Sequence, residues 1–429
     1  MADTSASHPP TGGVPPTLTI AQADELLAST ILTDDGRKDP YLAYSTLRAA
    51  SPRWRTETGS VVLTEYQDCM EALRHPKLGR AEPDMDLPLT IAGNDRRVSE
   101  NTSTMLLINP PDHTRIRGLV SRAFTPKRVE ELRGTIEDLL DPVLDRFAAR
   151  GGGDVMAELA VPYPVAVISE LLGVPKDGNE HIQPLVRAST ALIDPASDPE
   201  TTAAGEAAIM ELAAYFFDLV EKKRREPDDR LLSALIQVEE AGDRLSMEEL
   251  ISNTILLYAA GFETTSNLIG NGLRLLLEHP DQMELLRSDP TLIGPAIIEM
   301  LRADSPVQMN VRVVLEATKL FGEQHPRGSS FIVLQGSGNH DELMYAEGEQ
   351  FQVDRYRRTD APQPLSFGWG AHHCLGAHLA RAEGDIVFRA LRDRFPEIIL
   401  DRDALDGQEP RFRASFTLRG LESLPVRVS

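Results

Sequence analysis

Cysteine is scarce in this chain of 429 residues: Cys69 and Cys374 are the only two, far apart in sequence. No disulfide framework is implied, and a reducing cytoplasm is the expected setting. No run of eighteen apolar residues occurs, and no signal-peptide pattern follows Met1. Neither a membrane span nor a secretory leader is therefore expected. Positive charge is also short: 44 Lys and Arg against 66 Asp and Glu leave a net charge of −22. That balance argues against general binding of nucleic acid or anionic membrane. The hydrophobic share of 41% is that of a soluble globular protein. The length suits one large core or two to three average domains.

The stretch that organises the rest is Ser366–Arg381, which holds Cys374 among Gly368, Gly370 and Gly376 and is followed by an apolar, helix-favouring run. This spells a tight turn that presents a thiolate, then a helix start whose backbone N–H groups stabilise negative charge on sulfur. Glycines there let the backbone approach a large flat partner. One cysteine is too few for a local tetrahedral zinc site. It fits an axial thiolate on haem iron, the bland alternative being a free cysteine packed in a helical core.

Elsewhere, Ser246 and Glu249 form a capping box, and helical pattern then runs to His279-Pro280. About 33 residues at a rise of ~1.5 Å make a rod of roughly 50 Å. Its middle reads Ala259-Ala260-Gly261-Phe262-Glu263-Thr264-Thr265. Small residues leave room for a diatomic ligand, the Thr264 hydroxyl can reach the Ala260 carbonyl, and an acid beside an alcohol is a proton-delivery pair. His113 and Arg117 share a helix face at i, i+4 and suit a dianionic ligand. They lie in a basic island (Arg115, Arg117, Arg122, Lys127, Arg128) with no acid between Asp112 and Glu130. In so acidic a chain that suggests a docking patch for an acidic protein. Glu299 and Arg302, at i, i+3, read alone as a surface ion pair.

These segments together resemble the cytochrome P-450 family, over about residues 37–429. Phe367, Gly370, His372, Cys374 and Gly376 fill the family's haem-binding signature, and Ala260–Thr264 fills its oxygen-side motif. His113/Arg117 and Glu299/Arg302 match two further motifs. The resemblance implies a mainly α fold with a small β region: one catalytic domain over residues 21–429, behind a disordered lead at 1–20. It implies haem b with Cys374 as its iron ligand, and cofactor contacts from His113, Arg117, Arg312, Phe367, His372 and Gly376. Thr264 would steady dioxygen and Glu263 would help deliver protons. Glu299, Arg302 and Arg355 would lock the cysteine loop, with His340 and Val353 standing where relatives often carry arginine and proline. Ala260, Met309, Asn310 and Phe416 (the last at the tip of a terminal hairpin over 414–428) would line the substrate pocket, under a loop at 79–104.

Without an apolar N-terminal anchor the chain is similar to the soluble bacterial type, monomeric and cytoplasmic. Without a reductase-sized extension, its electrons are expected from a ferredoxin or flavodoxin reduced through NAD(P)H. The implied reaction is insertion of one atom of O2 into a small organic substrate, in secondary metabolism by analogy. A peroxide-driven peroxygenase and a haem-thiolate gas sensor or carrier are the alternatives. The Glu263-Thr264 pair argues against the first. The oxygen-side helix and pocket loops argue against the second.

Overall fold

The computed structural model describes residues 17–85, 104–121, 124–194, 197–237 and 245–429. Its principal helices are α1 (Ile20–Leu32), α2 (Tyr41–Ala50), α3 (Tyr66–Arg74), α4 (Asp112–Ser121), α5 (Pro126–Ala149), α6 (Pro162–Leu172), α7 (Asn179–Ser189), α8 (Pro199–Arg225), α9 (Met247–Glu278), α10 (Ile293–Ala303) and α11 (Ala377–Arg394). Five short strands form the larger sheet: β1 (Arg53–Arg55), β2 (Val61–Leu63), β3 (Leu78–Gly79), β4 (Asn310–Val314) and β5 (Ser330–Val333), in spatial order β1-β2-β5-β4-β3. All its pairs are antiparallel except β2 with β5, where Val62 lies opposite Ile332.

The long helix α9 begins as its sequence dictates. The Ser246 side chain accepts from the Glu249 N–H, and the Glu249 carboxylate accepts from the Ser246 N–H at 2.8 Å. Over 32 residues it is apolar or small on nearly every face, the pattern of a helix buried all round. It packs against α6, α8, α10 and α11 in one apolar core. Gly261 is small for this reason: a Cβ there would meet the Ile168 side chain of α6 at 2.8 Å. It makes room for a neighbouring helix as well as for any ligand.

Two expectations shift. The lead ends earlier than its composition implies, because Thr19 and Gln22 cap α1 reciprocally; residues 1–16 lie outside the described set. The terminal hairpin over 414–428 gives way to a tighter loop closed by the Phe412–Leu421 bridge. The last strand, Pro425–Val428, pairs instead with Gly152–Asp154 and Ile398–Leu400. The expected pocket loop at 79–104 falls largely on residues 86–103, outside the described residues.

Candidate functional site

The loop before α11 is shaped by its glycines. Gly368 and Gly370 have φ of 63° and 73°, the left-handed region that side chains disfavour. A Cβ on Gly370 would also meet the Leu73 carbonyl at 2.5 Å. The Cys374 N–H closes the turn by donating to the Phe367 carbonyl at 2.8 Å. Burial pushes the Cys374 thiol up from its ordinary range, opposed by the Gly376 N–H and the charges of Arg117 and Arg381. A Cβ on Gly376 would meet nothing within 4 Å, so one side of the loop is open to a bulky neighbour. Phe367 lies under the Arg381 guanidinium, 5.2 Å from ring centroid to Cζ.

Cationic groups converge beside this loop. His113 on α4 and His372 stack tilted with ring centroids 4.3 Å apart. Arg117 donates to the His373 carbonyl at 2.6 Å. Arg312 on β4 is buried, and Asn310 positions it by accepting at 3.2 Å while donating to Gln335 at 2.6 Å. Arg80, just past β3, donates to the Val311 carbonyl at 3.1 Å.

None of these five pairs with a carboxylate among the described residues. Burial and then Arg80, Arg312, His113 and Arg117 push His372 down to about 2. Burial and Arg80 hold Arg312 well below its usual range, and burial takes Arg80 down to about 10. Both ring nitrogens of His113 and the Nε of Arg80 have no partner among the described residues. Buried like charges so placed are costly unless an anion joins them. The donor set therefore fits the two propionates of a haem.

Arg80 was not visible in the sequence reading. It lies 33 positions before His113 in no charge motif, and only the pairing of β3 with β4 brings it to the cluster.

On α9, the Thr264 hydroxyl donates to the Ala260 carbonyl at 3.0 Å, and Ala260 is exposed while Thr264 is half-buried. Glu263 is only 2% exposed and forms a close ion pair with Arg413 from the terminal loop. Its Oε1 takes that bond, and Oε2 has no hydrogen bond among the described residues. Arg187 of α7 stands 4.0 Å away with its side chain half in solvent. Arg413 also donates to Asn267 at 2.5 Å. Its 150-residue separation from Glu263 left no signal in the sequence.

Glu299, Arg302 and Arg355 form one network, and it extends further than three charges. Glu299 on α10 takes two bonds of 2.8 Å from Arg302 and two of 3.0–3.1 Å from Arg355, all three side chains buried. Arg302 donates to the carbonyls of Asn339, Gly348 and Gln350. The Asn339 amide then holds the Leu365 N–H at 2.7 Å and the Ser366 hydroxyl at 2.9 Å, where the cysteine loop begins. His340 does its part through one ring nitrogen against the Ala303 carbonyl at 3.0 Å.

One expectation is corrected here. Met309 and Phe416 are each buried in an apolar cluster with Trp54 and Ile332, in the core rather than on an open wall. Of the basic island, Arg115 pairs with Glu249 and Arg117 turns inward, while Lys127 and Arg128 are exposed, Arg128 beside Glu131. Arg122 lies outside the described residues.

A sequence model of the family described as Cytochrome P-450 matches residues 53–399. The chain is a cytochrome P-450. It is 38% identical over 419 residues to cytochrome P-450 107B1 of Saccharopolyspora erythraea, covering 96% of this chain and 99% of that one. It is 40% identical over 398 residues to the vitamin D(3) 25-hydroxylase of Pseudonocardia autotrophica, covering 91% and 94%. Among solved structures, the cytochrome P-450 BioI, in complex with an acyl carrier protein ligated to hexadec-9Z-enoic acid, superposes with a TM-score of 0.83 at 31% identity, covering 92% and 99%. Members of this family bind haem through a cysteine thiolate and act as monooxygenases. No described helix of this cytochrome P-450 is long and apolar enough to cross a membrane.

Proposed function

We propose that this cytochrome P-450 takes two electrons from a ferredoxin or flavodoxin, reduced through NAD(P)H. It inserts one atom of O2 into a small organic molecule of secondary metabolism, in the cytoplasm, as one catalytic domain that takes in α1 from Ile20. The observation that carries this reading is the cluster of arginine and histidine donors, none paired with a carboxylate among the described residues, beside the loop that presents Cys374. Cys374 would be the iron ligand. Arg80, His113, Arg117, Arg312 and His372 would hold the propionates, with Phe367 and Gly376 bordering the ring. So bound, the haem would supply an electron-rich iron at which the O–O bond can be cleaved.

The chain's own residues would do the rest. Thr264 would hold a proton at Oγ1, its orientation fixed by the Ala260 carbonyl. Glu263 has one oxygen committed to Arg413 and the other without a hydrogen bond among the described residues, 4.0 Å from Arg187, so Oε2 would take a proton from the side of Arg187 and pass it inward. Ala260 would leave space for the substrate. Glu299, Arg302 and Arg355 would act only by fixing the loop that carries the sulfur.

The relatives named for vitamin D(3) hydroxylation and for a bound fatty-acyl carrier protein support a mostly hydrocarbon substrate. The test is spectral titration of the ferric enzyme with a library of such compounds, then product analysis with ferredoxin, reductase and NADPH. A single oxygen from O2 in the product supports the reading. Equal turnover with peroxide alone, unaffected by Thr264→Ala, would instead establish a peroxygenase.

A further inference from the structure

Strand β3 is short. Leu78 and Gly79 pair with Val314 and Val313 of β4, and Arg80 follows with its own N–H and C=O still to be satisfied. The side chain of Asn109 takes both. Its Oδ1 accepts from the Arg80 N–H at 2.8 Å, and its Nδ2 donates to the Arg80 carbonyl at 2.9 Å. One amide thus stands where a neighbouring strand would. Gly79 leaves the space for it: a Cβ there would meet Asn109 Oδ1 at 2.2 Å. The Asn109 backbone is committed as well, since its carbonyl accepts from the His113 N–H at 3.0 Å, on the first turn of α4. Asn109 is therefore bonded to two arms of the cationic cluster, Arg80 beyond β3 and the start of the helix that carries His113 and Arg117.

We propose that Asn109 is a positioning residue for the haem. It fixes where the Arg80 guanidinium stands relative to His113 and Arg117, so that the three donors converge on the propionates from two separate elements. This rests on the reading above that these residues hold the propionates. Asn109 acts through Arg80, whose side chain has one donor on the Val311 carbonyl at 3.1 Å and its Nε without a partner among the described residues. A tie that served stability alone would leave the haem's own properties unmoved.

The test uses the haem-loaded full chain and two readouts other than turnover: the rate at which haem passes to excess apomyoglobin, and the ferric/ferrous midpoint potential. Arg80→Met should quicken haem loss and lower the potential, because a positive charge near the iron favours the ferrous form. Asn109→Leu removes two hydrogen bonds and should move both readouts the same way, haem loss by roughly tenfold. In the Arg80→Met background it should add nothing, as expected of residues that act as one unit. Gly79→Ala places a methyl group against the amide oxygen and should reproduce the effect with Asn109 in place, so the test stands even if Asn109→Leu does not fold. If Arg80→Met moves neither readout, the assignment of Arg80 to a propionate is overturned, and this proposal with it. If Arg80→Met moves both while Asn109→Leu and Gly79→Ala move neither, the positioning role alone is overturned. Additive effects of Asn109→Leu and Arg80→Met would overturn it equally.

Discussion

Glu263 is a buried carboxylate with one committed oxygen and one open oxygen, and its reach depends on Arg413. Replacing Arg413 with Met leaves Glu263 buried without its close partner, which costs about 3–5 kcal/mol when a buried pair is broken from one side. Arg187 at 4.0 Å is too far to replace that bond. Arg413→Met is therefore expected to lower the melting temperature and to slow product formation more than substrate binding, read as a drop in kcat at unchanged spectral Kd. Thr264→Ala removes the hydroxyl that would hold the proton. NADPH consumption should continue while peroxide replaces product, and coupling equal to that of the unaltered enzyme would contradict the assigned role.

At the scale of elements, the Glu299–Arg302–Arg355 network fastens α10 to the 346–352 segment and, through Asn339, to the cysteine loop. Arg302 alone holds three backbone carbonyls. Arg302→Met should leave Glu299 to Arg355 and the Gln352 N–H and take the donor from the Asn339 and Gly348 carbonyls, at a cost of ~1–3 kcal/mol for each buried acceptor left unpaired. Thermal unfolding of the purified protein, or its failure to retain haem, measures this.

Local signals in the sequence were legible where chemistry is local: the Ser246–Glu249 box set the start of α9, and the Thr264–Ala260 bond follows from one helical turn. Arg80 and Arg413 were not, because their partners are assembled by strand pairing and by a terminal loop. Met309 and Phe416 were misjudged for a related reason. Apolar residues next to a site read the same whether they line a cavity or fill a core.

For the whole molecule, two buried carboxylates set opposite pH dependences. Burial pushes Glu383 well above the usual carboxylate range, and its Oε2 has no partner among the described residues. The unfolded chain releases this proton first, so stability falls as pH rises beyond about 4.3. Glu383→Gln should raise the melting temperature at pH 7 and change little at pH 4. Asp304 behaves the other way. Burial would raise it, but Arg419 and Arg274 outweigh that and hold it below the usual range. Its stabilisation is present above about pH 3.9 and is lost as pH falls through the depressed value; acid titration of unfolding in Asp304→Asn should show that this loss has disappeared.

Haem removal should act on the whole fold as well. Arg80, Arg117 and Arg312 are then left facing one another without an anion, so the apoprotein should melt several degrees lower, and less so at high salt.

The most direct measurement is the spectrum of the reduced protein with carbon monoxide, before and after Cys374→Ser. A thiolate on the iron gives a strongly red-shifted Soret band in the unaltered protein, and the serine variant should lose it. A protein that binds no haem, or a variant that keeps the shifted band, would contradict the placement of sulfur at position 374 on the iron.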